Sequence, residues 1–174
     1  METRKIGITY QSHDNASVQF YSWMDTDFVN NPHDQISISG YVFKLGEGAI
    51  TWSLKKQNAV ALSFTEAEYT AMAHAAREVT WLRNLFEGLD LPQGLPTILY
   101  RDNQSTLAIA HDPQYHARLK HFDIKSHYIR DSVQDGTIKD VYCPMDDMIA
   151  DIFTKPLHKP KHVKFICKMG MSLA

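Results

Sequence analysis

ISGYVFKLGEGAITWSLKK, residues 38 to 56, decides the fold. Two apolar, β-prone runs, Tyr41 to Leu45 and Ala49 to Ser53, flank Gly-Glu-Gly. Glycines at a two-strand junction supply the positive-φ freedom of a tight hairpin. Upstream, VQFYSWM (18 to 24) is rich in aromatic and β-branched residues and reads as a strand. It ends at Asp25 and Asp27, and NNPHDQ (30 to 35) turns the chain toward the hairpin. Three consecutive antiparallel strands follow from this order.

Downstream the period changes. Ala67, Ala71, Ala75, Val79, Leu82, Phe86 and Leu89 recur at steps of three or four, the spacing of one helix face. Thr65 and Glu68 have the spacing of a capping box, and LPQGLP (91 to 96) stops the helix. TILYR (97 to 101) reads as a buried strand, DNQSTLAIAH as a helix starting at its edge, and about 119 to 133 as another helix. IKDVYC (138 to 143) is a strand, and MIADIFTK is helical. Hairpin strands followed by strand–helix alternation predict an α/β fold: a five-stranded mixed sheet, three antiparallel strands then two parallel, with helices on both faces. We expect one domain over 1–157, with an N-terminal arm at 1–17 containing IGITY. Residues 158–174 then form a basic C-terminal tail or helix.

Composition agrees with a single globular unit. The 174 residues are 44% hydrophobic and 22% charged, and 18 Lys+Arg against 20 Asp+Glu leave a formal charge of −2. That balance excludes a surface uniformly coated in nucleic-acid-binding charge, though not a local patch. The two cysteines, Cys143 and Cys167, lack CxxC spacing and read as thiols. No apolar leader and no run of membrane-span length is visible, which points to a cytoplasmic, intracellular protein with no membrane partner. Trp52 and Trp81 are expected in the core, since no exposed aromatic series accompanies them.

Ligands of such sheets gather at the carboxyl ends of the strands. Asp25 and Asp102 end strands, Glu68 starts the long helix, and Asp151 opens the last helical segment. Gathered together without basic partners, these four carboxylates would repel unless cations lay between them. All-oxygen donors suit Mg²⁺ or Mn²⁺, and two ions about 4 Å apart activate water and stabilise the leaving oxygen of a phosphodiester. Taken singly, each acid also has an ordinary reading. Glu68 caps its helix, Asp102 begins one, Asp25 enters a turn, and Asp151 is a solvated surface acid.

Four stretches resolve the ambiguity by their order: EAEY at 66 to 69, DNQS at 102 to 105, KHFDI at 120 to 124 and ADIFTKPL at 150 to 157. Together they resemble the ribonuclease H domain of copia-type (Pseudoviridae-like) retrotransposon polyproteins, over about Ile6 to Leu157. The resemblance implies an RNase H-like fold. It also implies metal-dependent, endonucleolytic hydrolysis of the RNA strand of RNA–DNA hybrids during reverse transcription, with a reverse transcriptase domain of the same element as a partner. It assigns the metal-binding, catalytic acids to Asp25, Glu68, Asp102 and Asp151, holding two Mg²⁺ ions or Mn²⁺, with Asp27 as fallback for the first. Glu66 is left as a first-turn acid favoured by the helix dipole.

The sequence departs from the family where paired arginines become Gln35 and Ile36. No histidine takes the place of the catalytic histidine of many cellular ribonucleases H. Lys55, Lys56, Gln57, Asn103, Arg118 and Lys120 are candidate contacts to the hybrid backbone, the last two within the basic segment HARLKHFDIKSHYIRD. A rival reading is a non-catalytic retroelement remnant that keeps the fold and binds nucleic acid or a protein. Another RNase H-like nuclease, such as an integrase core, is disfavoured by the position of Glu68 and by the ADIFTKPL ending.

Overall fold

The computed structural model describes residues 6–10, 19–28, 36–102 and 123–173. Five strands form one sheet in the order β4-β3-β2-β5-β6: β2 (Phe20–Asp27), β3 (Ile38–Leu45), β4 (Gly48–Lys56), β5 (Thr97–Arg101) and β6 (Ile138–Tyr142). β2, β3 and β4 are antiparallel neighbours, while β5 pairs parallel with both β2 and β6. The expected mixed sheet is therefore present. The hairpin closes at the pair Leu45–Gly48, with Gly46 at φ +56°, a conformation that glycine adopts without penalty.

The two faces of the sheet carry different helices. Phe20, Met24, Phe43 and Leu99 point to one side and pack on the alanine-rich stripe of α1 (Phe64–Gly88) and on Ile129 of α2 (Asp123–Gln134). Val42 and Ala49 point to the other side, against Ile149 and Phe165, with Trp23 and Phe153 packed around them. This second layer contains the short α3 (Asp151–Thr154) and α4 (Lys159–Lys168). The period of two along each strand separates the layers.

Residues 158–173 are a structural part of this layer. Phe165 of α4 is fully buried, and β7 (Met171–Leu173) pairs antiparallel with β1 (Ile6–Ile8). The 5-residue run IGITY of the expected arm thus supplies the strand partner of the C-terminal segment.

The expected burial of the two tryptophans is corrected. Trp52 and Trp81 are 55% and 56% exposed. Trp52 lies on the edge strand β4, and Trp81 lies beside, not within, the stripe formed by Val79, Leu82 and Phe86. The N-cap of α1 is Ser63, whose Oγ accepts the Glu66 N–H at 3.2 Å, while the Glu66 carboxylate accepts the Leu62 N–H at 2.6 Å. The cap is made by Ser63 and Glu66, two residues ahead of Thr65 and Glu68, with the Glu66 carboxylate reaching the residue before the N-cap. Cys143 is a buried free thiol and Cys167 an exposed one. No described helix is long and apolar enough to cross a membrane. The DNQSTLAIAH helix, the 30–35 turn, Asn103, Arg118 and Lys120 lie outside the described residues.

Candidate metal centre

Asp25 stands near the carboxyl end of β2, directly opposite Gly40 of β3. Asp102 is the first residue after β5, the parallel neighbour of β2. Asp151 is the first residue of α3, which lies on the face that carries Asp25. Sheet order and one helix start thus bring together acids that are far apart in sequence. One carboxylate oxygen from each of Asp25, Asp102 and Asp151 lies within 4.8 Å of the others.

What lets α3 come so close is Gly40. A Cβ built there would stand 2.9 Å from Phe153 Cβ and 2.9 Å from Thr154 Cγ2. The absent side chain makes room for the helix, and the helix delivers three polar groups to the strand ends. Thr154 donates its hydroxyl to Asp25 Oδ2 in a short hydrogen bond. Lys155 reaches Asp25 Oδ1 at 3.1 Å, Asp151 Oδ1 at 2.8 Å and Asp102 Oδ2 at 3.8 Å. Lys161, from α4, holds the remaining Asp151 oxygen at 2.9 Å.

The electrostatics follow from burial. Asp25 and Asp151 are 3% and 2% exposed. Burial pushes the Asp25 carboxyl above the ordinary aspartate range. Lys155 and the Thr154 hydroxyl pull it back, and Asp151 and Asp102 add to the rise. Burial works against the Lys155 ammonium, but attraction by Asp25 and Asp151 outweighs it and raises its pKa. Asp27, two residues on along the same strand face, is raised mainly by its own burial and is not part of the cluster.

The donor set is all-oxygen and strongly anionic, the chemistry that holds hard divalent cations. A cation, the Lys155 ammonium, already stands among the three carboxylates, so the residues present fit a divalent ion. The structure therefore brings Asp25, Asp102 and Asp151 together. Glu68 is buried in the second turn of α1 but is not among the carboxylates gathered within 4.8 Å. Lys55 and Lys56 are exposed at the carboxyl end of β4, the same end of the sheet as Asp25.

Gln57 is instead 5% exposed. Its amide nitrogen donates to the Ala67 carbonyl at 2.8 Å and to Ser39 Oγ at 2.9 Å, bracing α1 against β3. Sequence reasoning passed over Thr154, Lys155, Lys161 and Gly40. The i,i+4 spacing of Asp151 and Lys155 was the available signal for one of them.

No protein-family model matches the chain. It is 35% identical over 166 residues to the retrovirus-related Pol polyprotein from transposon RE1 of Arabidopsis thaliana, covering 95% of this chain. It is 36% identical over 146 residues, 84% of this chain, to that from transposon TNT 1-94 of Nicotiana tabacum. The chain spans 11% of the length of each of these relatives. Among solved structures, LC11-RNase H1 in complex with an RNA/DNA hybrid superposes with a TM-score of 0.51 at 13% identity, over 78% of this chain and 94% of that one. At such identity the likeness speaks for the fold alone. The chain is a homologue of one segment of copia-type, retrovirus-related Pol polyproteins, and it has the ribonuclease H fold.

Proposed function

We propose that this domain is a ribonuclease H, cutting the RNA strand of RNA–DNA hybrids formed in retrotransposon reverse transcription. The observation that carries the reading is the buried Asp25–Asp102–Asp151 cluster at the carboxyl ends of two parallel strands within a ribonuclease H fold. The remnant reading has no comparable support: a domain that only binds a partner has no need of three carboxylates, two of them buried, converging where they repel one another. The hybrid held by LC11-RNase H1 and the Pol polyprotein relatives support the choice of substrate and of a reverse transcriptase domain as partner.

Asp25, Asp102 and Asp151 would hold the metal, with Glu68 as the fourth ligand and Mg²⁺ as the ion, Mn²⁺ substituting. Bound there, two divalent ions supply an activated water and charge stabilisation at the phosphodiester. The chain's own residues supply position. Thr154 fixes one oxygen of Asp25 and Lys161 one oxygen of Asp151, so that the other oxygen of each turns toward the cluster. Asp102, with a side chain 12% exposed, is the most open of the three and marks the side from which a phosphate arrives. Lys55 and Lys56, with Asn103, Arg118 and Lys120, are proposed contacts to the hybrid backbone. Selectivity for a hybrid comes from groove shape and 2′-hydroxyls.

The test is cleavage of an end-labelled RNA–DNA hybrid with Mg²⁺, beside Asp102→Asn. Metal-dependent cuts in RNA by the wild type and none by the variant are expected. A folded wild type that leaves the hybrid intact would overturn the reading.

A further inference from the structure

Both outer oxygens of the two most buried acids are already taken inside the protein. Asp25 Oδ2 accepts from Thr154, and Asp151 Oδ2 accepts from Lys161. The oxygens left facing the cluster are Asp25 Oδ1 and Asp151 Oδ1, and Lys155 holds both, at 3.1 and 2.8 Å. A cation that binds through these two atoms meets the Lys155 ammonium there. We infer that Lys155 is the resident counter-cation of the site, and that a divalent ion enters by displacing its ammonium. The inference rests on the proposed reading of Asp25, Asp102 and Asp151 as divalent-ion ligands.

The surroundings suit a removable ammonium. The Lys155 side chain is 32% exposed, whereas those of Asp25 and Asp151 are 2% and 3% exposed, so the lysine sits at the mouth of the cluster and the acids at its floor. Lys155 ends α3 in an extended conformation (φ −123°, ψ 144°) and is followed by Pro156, which favours that backbone. Its departure therefore falls to the flexible four-carbon stem, with the main chain unmoved. Lys161 differs: it is anchored on α4, over the Phe165 ring at 5.2 Å, and it holds the outer oxygen of Asp151, Oδ2. One lysine thus braces a ligand from behind, and the other occupies the place of the ion.

Two consequences separate this from an ordinary ion pair. Without metal, Lys155 keeps three neighbouring carboxylates from repelling one another. With metal, it competes, so the apparent affinity of the wild type is weaker than the carboxylates alone would provide.

The experiment titrates Mn²⁺ into metal-free wild type, Lys155→Met and Asp102→Asn, reading bound ion by electron paramagnetic resonance and stability by thermal melting in EDTA. Lys155→Met should bind Mn²⁺ about tenfold tighter than wild type, as expected on removing a positive charge at contact distance. It should also melt lower in EDTA, with the deficit closing as Mn²⁺ saturates. Equal or weaker Mn²⁺ binding by Lys155→Met overturns the inference while leaving the metal site standing. Absence of Mn²⁺ binding by folded wild type overturns the metal-site reading itself.

Should Lys155→Met fail to fold, ¹⁵N NMR of the wild type decides. A slowly exchanging Lys155 ammonium signal in EDTA should disappear on saturation with Mg²⁺, and its persistence in the saturated protein overturns the inference.

Discussion

Gly40 and Asp25 face each other across the β3–β2 ladder, and the space over Gly40 is filled by Phe153 and Thr154. Backbone contact and the geometry of the carboxylate cluster are therefore one relationship, because the helix that rests on Gly40 carries Asp151 and Thr154 and is followed at once by Lys155. Gly40→Ala should push α3 away from the strand. We expect a loss of about 1–3 kcal/mol of stability, the usual cost of overpacking, and a larger proportional loss of hybrid cleavage. Thermal melting and cleavage rates on the same preparation check this. Wild-type activity in Gly40→Ala would show that α3 does not need that close approach.

Thr154→Val removes the hydroxyl that fixes Asp25 while keeping the side chain's shape. Partners that orient a ligand typically contribute about 10–100-fold in metal affinity or activity. A loss in that range is expected, with little change in melting temperature in EDTA. Asp151→Asn, which alters a proposed ligand, should cost more than Thr154→Val in the same cleavage assay.

Ser63 and Glu66 form the cap of α1, whereas Glu68 is proposed as a metal ligand. Ser63→Ala should lower stability by about 0.5–2 kcal/mol through loss of the N-cap, leaving cleavage per folded molecule unchanged. Glu68→Gln should do the reverse, sparing the cap and reducing cleavage. Urea melts paired with cleavage rates distinguish the two. Equal activity loss in both variants would return Glu68 to a purely structural role.

The pH dependence has a defined sign. Burial raises Asp25 above its ordinary value of 3.8, against the pull of Lys155 and Thr154. A carboxyl raised in the folded state binds its proton more tightly there than when unfolded. Its contribution to metal-free stability is fully present below the unfolded value and is lost as pH rises through the folded one. Lys155, also raised, stabilises throughout neutral pH and loses its contribution only in the alkaline range. Divalent-ion binding needs the ionised carboxylate, so affinity should fall on acidification at a pH above 3.8. Mn²⁺ titrations from about pH 4.5 to 7.5 check this, and a flat profile across that window would contradict it.

Phe165→Ala tests whether the C-terminal segment belongs to the fold. Phe165 is fully buried beneath the sheet, and its helix carries Lys161. Truncating a buried Phe costs about 3–5 kcal/mol, so this variant should be among the least stable. A near-wild-type melting temperature would make the segment an appendage.

Legibility tracked the range of the interaction. Alternation along VQFYSWM and the three-four spacing of α1 are local signals, and the sheet and long helix followed from them. Glu68, Asp102 and Asp151 each stand inside one of the family motifs, EAEY, DNQS and ADIFTKPL, whereas Asp25 closes the aromatic strand VQFYSWM. Thr154 meets Asp25 across 129 positions, and nothing in TKPL alone announces that contact. Gly40 was unreadable for the same reason, since its meaning lies in what approaches it. Thr65–Glu68 has the spacing of a capping box by coincidence, and the hydrogen bonds put the cap at Ser63 and Glu66 instead. The two exposed tryptophans show the limit of composition: bulk and aromaticity do not say which side of an edge strand or helix is covered.

The pairing of β1 with β7 has a consequence for a segment that corresponds to 11% of its relatives' length. Ile6 and Leu173 are direct partners, so the path of the chain into the domain and the path out of it run side by side. A domain whose end strands are paired in this way can be grafted into a surface loop of another protein without its own sheet being pulled apart.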